Sequence, residues 1–315
     1  MPSDRPAVRV LPDPRKPPLT WQFSIAGLLV GILVGMTGMG GGSLMTPILI
    51  LLFGFDAKVA VGTDILHGAI FKSFGAVRHR KLGTVHGHLV LWMFLGSGPM
   101  SLLGVAVATW LSHHYGSAES IEAYAVGVAL VVGGIGLVAK TLIRGGMQPD
   151  DAPFLLERRD RVIAVALGAT CGFVVGLTSV GSGTFFGLIM VLVFPLTVAK
   201  IVGTDIFHAA LLLWVAGFGH LVAGNVDLHT MFWLLTGSIP GVLLTSQFTL
   251  KVPDRALRLG LATVLMLSGI KLIDFPGADW IIAAGAIAAG FAFALWGLSQ
   301  RLGRRPPAET ATKLY

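Results

Sequence analysis

Charge is scarce in this chain. Asp, Glu, Lys and Arg make up 12% of its 315 residues, about half the share of a soluble domain, while 54% are hydrophobic. So little polar surface cannot cover a globule in water, which excludes a soluble enzyme or binding module and leaves lipid as the solvent. Cysteine is scarcer still: Cys171 is alone, so there is no disulfide framework and no multi-cysteine metal centre. The formal charge of +7 comes without a basic stripe interleaved with aromatics, which argues against a nucleic-acid partner. Lys and Arg fall instead in short clusters between apolar runs, the pattern of cytoplasmic loops in a multi-span membrane protein. An HExxH metalloprotease signature is missing too, and no metal or cofactor is expected. The first twenty residues are proline-rich, lack the apolar core of a signal peptide and read as a disordered tail.

What the chain does have is long apolar runs. A helix needs about 20 apolar residues to cross the hydrocarbon core. Spans of that kind are predicted at 21–38, 59–77, 89–111, 124–143, 162–178, 198–218, 228–250, 256–273 and 280–298. Two shorter runs, 43–55 and 184–196, are too brief to cross upright and read as broken, re-entrant or tilted segments.

The chain also repeats itself. Residues 61–67 (VGTDILH) return as 202–208 (VGTDIFH), an offset of 141 that holds without a gap from about Gly27 to Leu103. Gly31, Gly35, Thr37, Gly40 and Gly42 fall on Gly172, Gly176, Thr178, Gly181 and Gly183. His79, Gly83, His88, Trp92, Gly96, Ser97 and Pro99 fall on His220, Gly224, His229, Trp233, Gly237, Ser238 and Pro240. Later the offset drops to 133, pairing Gly127 and Gly136 with Gly260 and Gly269. The chain therefore reads as a tail (1–20), a first membrane repeat (21–143), a cytoplasmic linker (144–161), a second repeat (162–273), a final span (280–298) and a cytoplasmic tail (299–315).

Five segments per half is odd, which turns the second half upside down. Loop charge agrees. The first half carries Arg78, Arg80 and Lys81 where the second has GHLVAGNVD, so the first loop reads as cytoplasmic and the second as external. Loops 144–161 and 251–258, with the C-terminus, read as inside, and loops 112–120 and 274–279 as outside. Inversion puts the N-terminal tail outside despite Arg5, Arg9, Arg15 and Lys16. The expected fold is an all-α integral membrane protein of two five-segment inverted repeats with short or Gly-broken helices, plus one C-terminal span.

In transporters built from inverted repeats the substrate site lies at midplane, between interrupted helices of the two halves. Matching interruptions occur at 35–47 (GMTGMGGGSLMTP) and 176–188 (GLTSVGSGTFFGL), with five glycines among residues 35–42. A helix restarting at Ser43 or Thr184 would present free N–H groups to an anion. The candidate oxyanion ligands are Gly38, Gly40, Gly41, Gly42 and Ser43 in the first half, and Ser179, Gly181, Ser182, Gly183 and Thr184 in the second. The same glycines would also serve close helix packing.

The repeated GTDxxH puts Asp64 and His67, and likewise Asp205 and His208, on one helix face, with Thr63 and Thr204 beside each Asp. Intramembrane ionisable residues mark pathways or proton relays, and His titrates near neutral pH. These four are the candidate proton-coupling residues, with Thr63 and Thr204 lining the substrate site. Alternatives are an Asp–His pair that only pins packing, or an Asp acting as a helix cap near the surface. Lys72 has no repeat partner, since Leu213 stands there, and is expected to snorkel to the interface near Arg78. No Lys or Arg is therefore expected at midplane. His79, His86 and His88, with His220, Asp227 and His229 at matching positions, read as interfacial structure. Ser182 in VGSGTFFG faintly resembles the serine loop of rhomboid proteases, but Val180 replaces a glycine of that loop.

The Gly-rich first span, the short second run, the GTD-x-x-H span and the tandem duplication together resemble the TauE/SafE family, the sulfite exporter family, over about residues 21–298. That resemblance implies a bacterial inner-membrane secondary carrier, driven by the proton-motive force, for sulfite or small organosulfonates such as sulfoacetate. The partners it implies are a small anion, protons and the bilayer. An uptake carrier or channel for another small anion, or a cation carrier using Asp64 and Asp205, is the competing expectation. Monomer and homodimer are both compatible with the sequence.

Overall fold

In the computed structural model, residues 20–37, 42–114, 118–142, 154–183, 185–247 and 254–285 are described. The first half is α1 (Thr20–Thr37), α2 (Gly42–Leu51), α3 (Ala57–Lys81), α4 (Gly87–His114) and α5 (Ala118–Leu142). The second is α6 (Arg158–Thr178), α7 (Phe185–Val193), α8 (Val198–Val222), α9 (Leu228–Gln247) and α10 (Asp254–Leu272). No strand occurs among the described residues. A further helical segment starts at 278 and is described to 285; the rest of the expected final span lies outside the described residues, as do residues 1–19, 143–153 and 299–315.

The duplication reappears as helices. Shifting α3 by 141 gives the bounds of α8, and α4 and α9 likewise begin 141 residues apart. The expected short runs become the two shortest helices, α2 with ten residues and α7 with nine. At about 1.5 Å per residue each reaches roughly half of a 30 Å hydrocarbon core. Pro195 follows α7 and denies it a further ladder donor. α6 starts at Arg158 rather than at 162, because the Asp160 carboxylate accepts from the Glu157 N–H at 3.0 Å and caps an earlier turn.

Among the described residues four helical stretches are long and apolar enough to cross a membrane: Gly87–Ser112, Ile121–Leu142, Arg158–Thr178 and Ala199–Val222. The chain is a multi-pass membrane protein. α3 is as long as α8 but carries Asp64, Lys72, Arg78, Arg80 and Lys81.

Packing between the halves is close and paired. α4 runs beside α6 and α1 beside α9, the same contact made twice. A Cβ on Gly172 would overlap the backbone of Ser97, and one on Gly31 that of Ser238. These are repeat-equivalent pairs, so one requirement for a bare backbone fixes a glycine in each half. Small residues permit the near approach that drives helix association in lipid. α3 and α8 lie against each other in opposite directions: Gly62 faces His220 and Asn225, while Gly75 faces Ile206. α5 and α10 are antiparallel too, with Gly127 against Gly269 and Gly134 against Ala262 and Met266. Where α3 and α8 cross, Trp214 Nε1 donates to Ser73 Oγ at 3.0 Å, joining two repeat-equivalent positions.

Candidate functional site

α6 ends in a left-handed residue. Ser179 has φ 63°, and Gly181 and Gly183 follow with φ 117° and 110°, so the chain turns sharply before α7 resumes at Phe185. Only glycine adopts the latter two angles without strain. The left-handed turn aims the Ser179 hydroxyl at α3, where it donates to Asp64 Oδ2 at 2.8 Å. Thr46, one turn into α2, donates to the same oxygen at 2.6 Å. Asp64 therefore joins its own half's short helix to the other half's break, and it is only 1% exposed. It lies two turns inside α3, which excludes the surface-cap alternative for it.

Lys72 corrects an expectation. It does not snorkel: it is 4% exposed, and its ammonium donates to the Ser182 carbonyl at 3.0 Å and the Ser182 hydroxyl at 2.8 Å. One cation therefore does reach the break. α8 and the turn at 181–183 cover it, and they are near in space but far in sequence. A second, Lys140 on α5, is also close: a methyl at Gly187 would collide with its ammonium and stand 3.1 Å from Asp205 Oδ2. Lys72 is in electrostatic range of both Asp64 and Asp205, and Lys140 of Asp205.

The two copies of GTDxxH share some partners and differ in others. His67 Nε2 is hydrogen-bonded to Ser238 Oγ and His208 Nε2 to Ser97 Oγ, both at 2.9 Å and both across the halves. Thr63 Oγ1 accepts from the Asp227 N–H and Thr204 Oγ1 from the His86 N–H, both at 3.0 Å. His86 and Asp227, expected as interfacial side chains, thus contribute their backbone to the repeated threonines. The aspartates break the symmetry. The position equivalent to Thr46 is Gly187 and that equivalent to Ser179 is Gly38, so Asp205 has neither hydroxyl beside it. Both aspartates keep one buried oxygen, Asp64 Oδ1 and Asp205 Oδ1, with no hydrogen-bond partner among the described residues, as does His208 with its Nδ1.

Of the sequence-derived site residues, Thr63, Asp64, His67, Ser179, Gly181, Ser182, Gly183, Thr204, Asp205 and His208 fall in the described part. Asp64 and Lys72 bring the α6–α7 break against α3. Gly38, Gly40, Gly41 and Thr184 lie outside the described residues, and Gly42 and Ser43 are described only as the start of α2. Sequence reasoning missed Lys72 and Lys140, which stand opposite Leu213 and Ile273 in the repeat. Their signal was the break in symmetry itself, a cation in one half facing an aliphatic residue in the other.

Residues 23–272 match the family model described as Sulfite exporter TauE/SafE. The probable membrane transporter protein YjnA of Bacillus subtilis is 36% identical over 249 residues, which are 79% of this chain and 98% of that protein. A second probable membrane transporter protein of the same organism, YunE, is 24% identical over 261 residues, 79% of this chain and 95% of its own. The sulfite exporter TauE/SafE family protein 1 of Arabidopsis thaliana is 32% identical over 108 residues, 34% of this chain and 24% of that protein. No solved structure matches.

Proposed function

The chain belongs to the TauE/SafE sulfite exporter family of membrane transporters, and from that footing we propose that it is a secondary carrier moving sulfite or a small organosulfonate out across the bacterial inner membrane. The observation that carries this reading is the meeting of the halves at Asp64. One carboxylate oxygen holds the short helix of the first half and the broken turn of the second, the place where an alternating-access carrier keeps its substrate site.

The halves are inverted in the bilayer. Antiparallel packing of α3 against α8 and of α5 against α10 supports this, because repeat-equivalent helices point opposite ways when the symmetry axis lies in the membrane plane. The loop after α3, with Arg78, Arg80 and Lys81, is cytoplasmic, and its equivalent after α8 is external. Lys81 and Val222 are equivalent and both exposed. With Cys171 replaced by alanine, Lys81→Cys and Val222→Cys are expected to react with an impermeant maleimide from opposite faces of the membrane. Labelling from the same face refutes the inversion.

Gly38, Gly40, Gly41, Gly42 and Ser43 with Ser179, Gly181, Ser182, Gly183 and Thr184 supply N–H and hydroxyl donors to the oxyanion. Thr63 and Thr204 hold the loops before α9 and α4 against the site. Charge then links anion to proton. Two carboxylates and two ammonium groups surround the break, and an arriving anion upsets that balance unless a carboxylate takes up a proton. Asp64 and Asp205 are the proton acceptors. His67 and His208 pass their state to α9 and α4 through Ser238 and Ser97. Proteoliposomes holding the purified chain are expected to accumulate labelled sulfite or sulfoacetate faster under an imposed pH gradient than without one, with chloride and sodium unaffected. Movement of sodium alone reassigns the carboxylates to a cation carrier.

A further inference from the structure

We infer that Lys72 is the cation that receives the transported oxyanion, its ammonium leaving Ser182 to bind a substrate oxygen, so that the two pseudo-symmetric halves share one asymmetric binding site. The inference rests on the reading of the chain as an anion carrier and adds what that reading lacks, a positive charge at the break.

An ammonium inside the hydrocarbon layer is costly unless paired, and such residues face a bundle interior or a pathway. Lys72 is buried to 4% exposure, yet its two hydrogen-bond partners are neutral oxygens of one residue. The carboxylates of Asp64 and Asp205 act on it from a distance and make no direct ion pair with it among the described residues. A lysine has three N–H donors, and Ser182 takes two. The ammonium is therefore held by neutral acceptors, which lack the ion-to-ion attraction that an anionic oxygen would add in so dry a site.

Ser182 suits the exchange. Its hydroxyl now accepts from Lys72, and a hydroxyl can turn to donate to the incoming oxyanion instead. Gly181 and Gly183 on either side, both at positive φ, let that turn approach the ammonium. The equivalent pairing across the halves lacks this chemistry: Leu213 of the second half stands where Lys72 does in the first, and Gly41 of the first half where Ser182 does in the second. Lysine and serine are present together in one combination and absent together in the other. A role confined to helix packing gives no reason for a charge there, because Leu213 packs at the equivalent place.

The test compares reconstituted parent with Lys72→Gln, Lys72→Arg and, in a Cys171→Ala background, Lys72→Cys before and after aminoethylation, which rebuilds an ammonium on a thioether. Uptake is measured against sulfite and sulfoacetate concentration, and unfolding is followed with and without anion. Lys72→Gln is expected to raise the half-saturating concentration at least about tenfold and to abolish stabilisation by the anion. Lys72→Arg keeps part of the affinity, and aminoethylation restores it in the same folded preparation, so the assignment survives poor folding of Lys72→Gln. A Lys72→Gln chain with the parent's half-saturation, or an aminoethylated chain no better than its unmodified form, overturns the assignment. A parent that takes up neither anion overturns the underlying reading of cargo instead.

Discussion

Asp205→Asn is expected to uncouple transport: uptake of the anion should lose its response to an imposed pH gradient, falling at least about tenfold under the gradient, while exchange of anion for anion should stay near the parent rate. The reason is the asymmetry between the two aspartates. Thr46 and Ser179 both donate to Asp64 and fix it as the tie between α2 and the α6–α7 break. The residues equivalent in sequence to Thr46 and Ser179 are Gly187 and Gly38, and among the described residues no hydroxyl donates to Asp205, whereas two donate to Asp64. The groups that face it are Lys72 from α3, Lys140 from α5 and Cys171 from α6. With no hydroxyl among the described residues to hold it and two ammonium groups nearby, Asp205 is expected to be the freer of the two proton acceptors to exchange its proton as the site's charge changes. Asp64→Asn keeps an acceptor for both hydroxyls but weakens the tie, and lowers gradient-driven uptake and exchange alike. The comparison is made in one set of proteoliposomes. An Asp205→Asn chain that still responds to the gradient removes Asp205 from the coupling.

The second large effect is structural. Gly172→Leu is expected to leave almost no folded protein, because its side chain would enter the space held by the Ser97 backbone where α4 and α6 meet. Overpacking a filled core costs about 1–3 kcal/mol and more when backbone must move, and here both partners are helix backbones. The displaced segment carries Ser97, the partner of His208, so the damage reaches the site as well. Gly260→Ala is the control: nothing among the described residues lies within 4 Å of the added methyl, and the variant is expected to unfold at or slightly above the parent temperature. Yield after detergent extraction and the thermal midpoint of whatever remains folded check both. A Gly172→Leu chain of parental stability contradicts the close approach of α4 and α6.

Much of this architecture was legible in the sequence because duplication copies geometry along with letters. Gly31 and Gly172 recur because the same backbone crossing recurs, and Ser97 and Ser238 because each bonds the other half's histidine. The twice-written GTDxxH was legible as a pair of buried polar turns for the same reason. Less legible were the positions where the copies disagree. Comparison of the halves draws the eye to shared residues, whereas Thr46 against Gly187, Ser179 against Gly38, Ser182 against Gly41 and Lys72 against Leu213 set the chemistry of the break. The depth of Lys72 could not be read from α3 alone. A spacing of less than two turns from Arg78 suits a snorkelling lysine, and it is the tertiary packing of α8 and of the turn at 181–183 that holds it away from the interface. Lys140 was hidden similarly, near the end of α5 by sequence but beside α7 in space.

The most direct measurement records anion and proton together in proteoliposomes of the parent chain, with labelled sulfite outside, a pH-sensitive dye inside and no gradient imposed. The account requires the internal pH to change as sulfite enters, in proportion to the sulfite taken up and in the direction of protons accompanying the anion, beyond the shift that sulfite produces in protein-free vesicles. Sulfite entry with no such excess proton movement would contradict coupling through the buried carboxylates, and no entry at all would contradict the cargo.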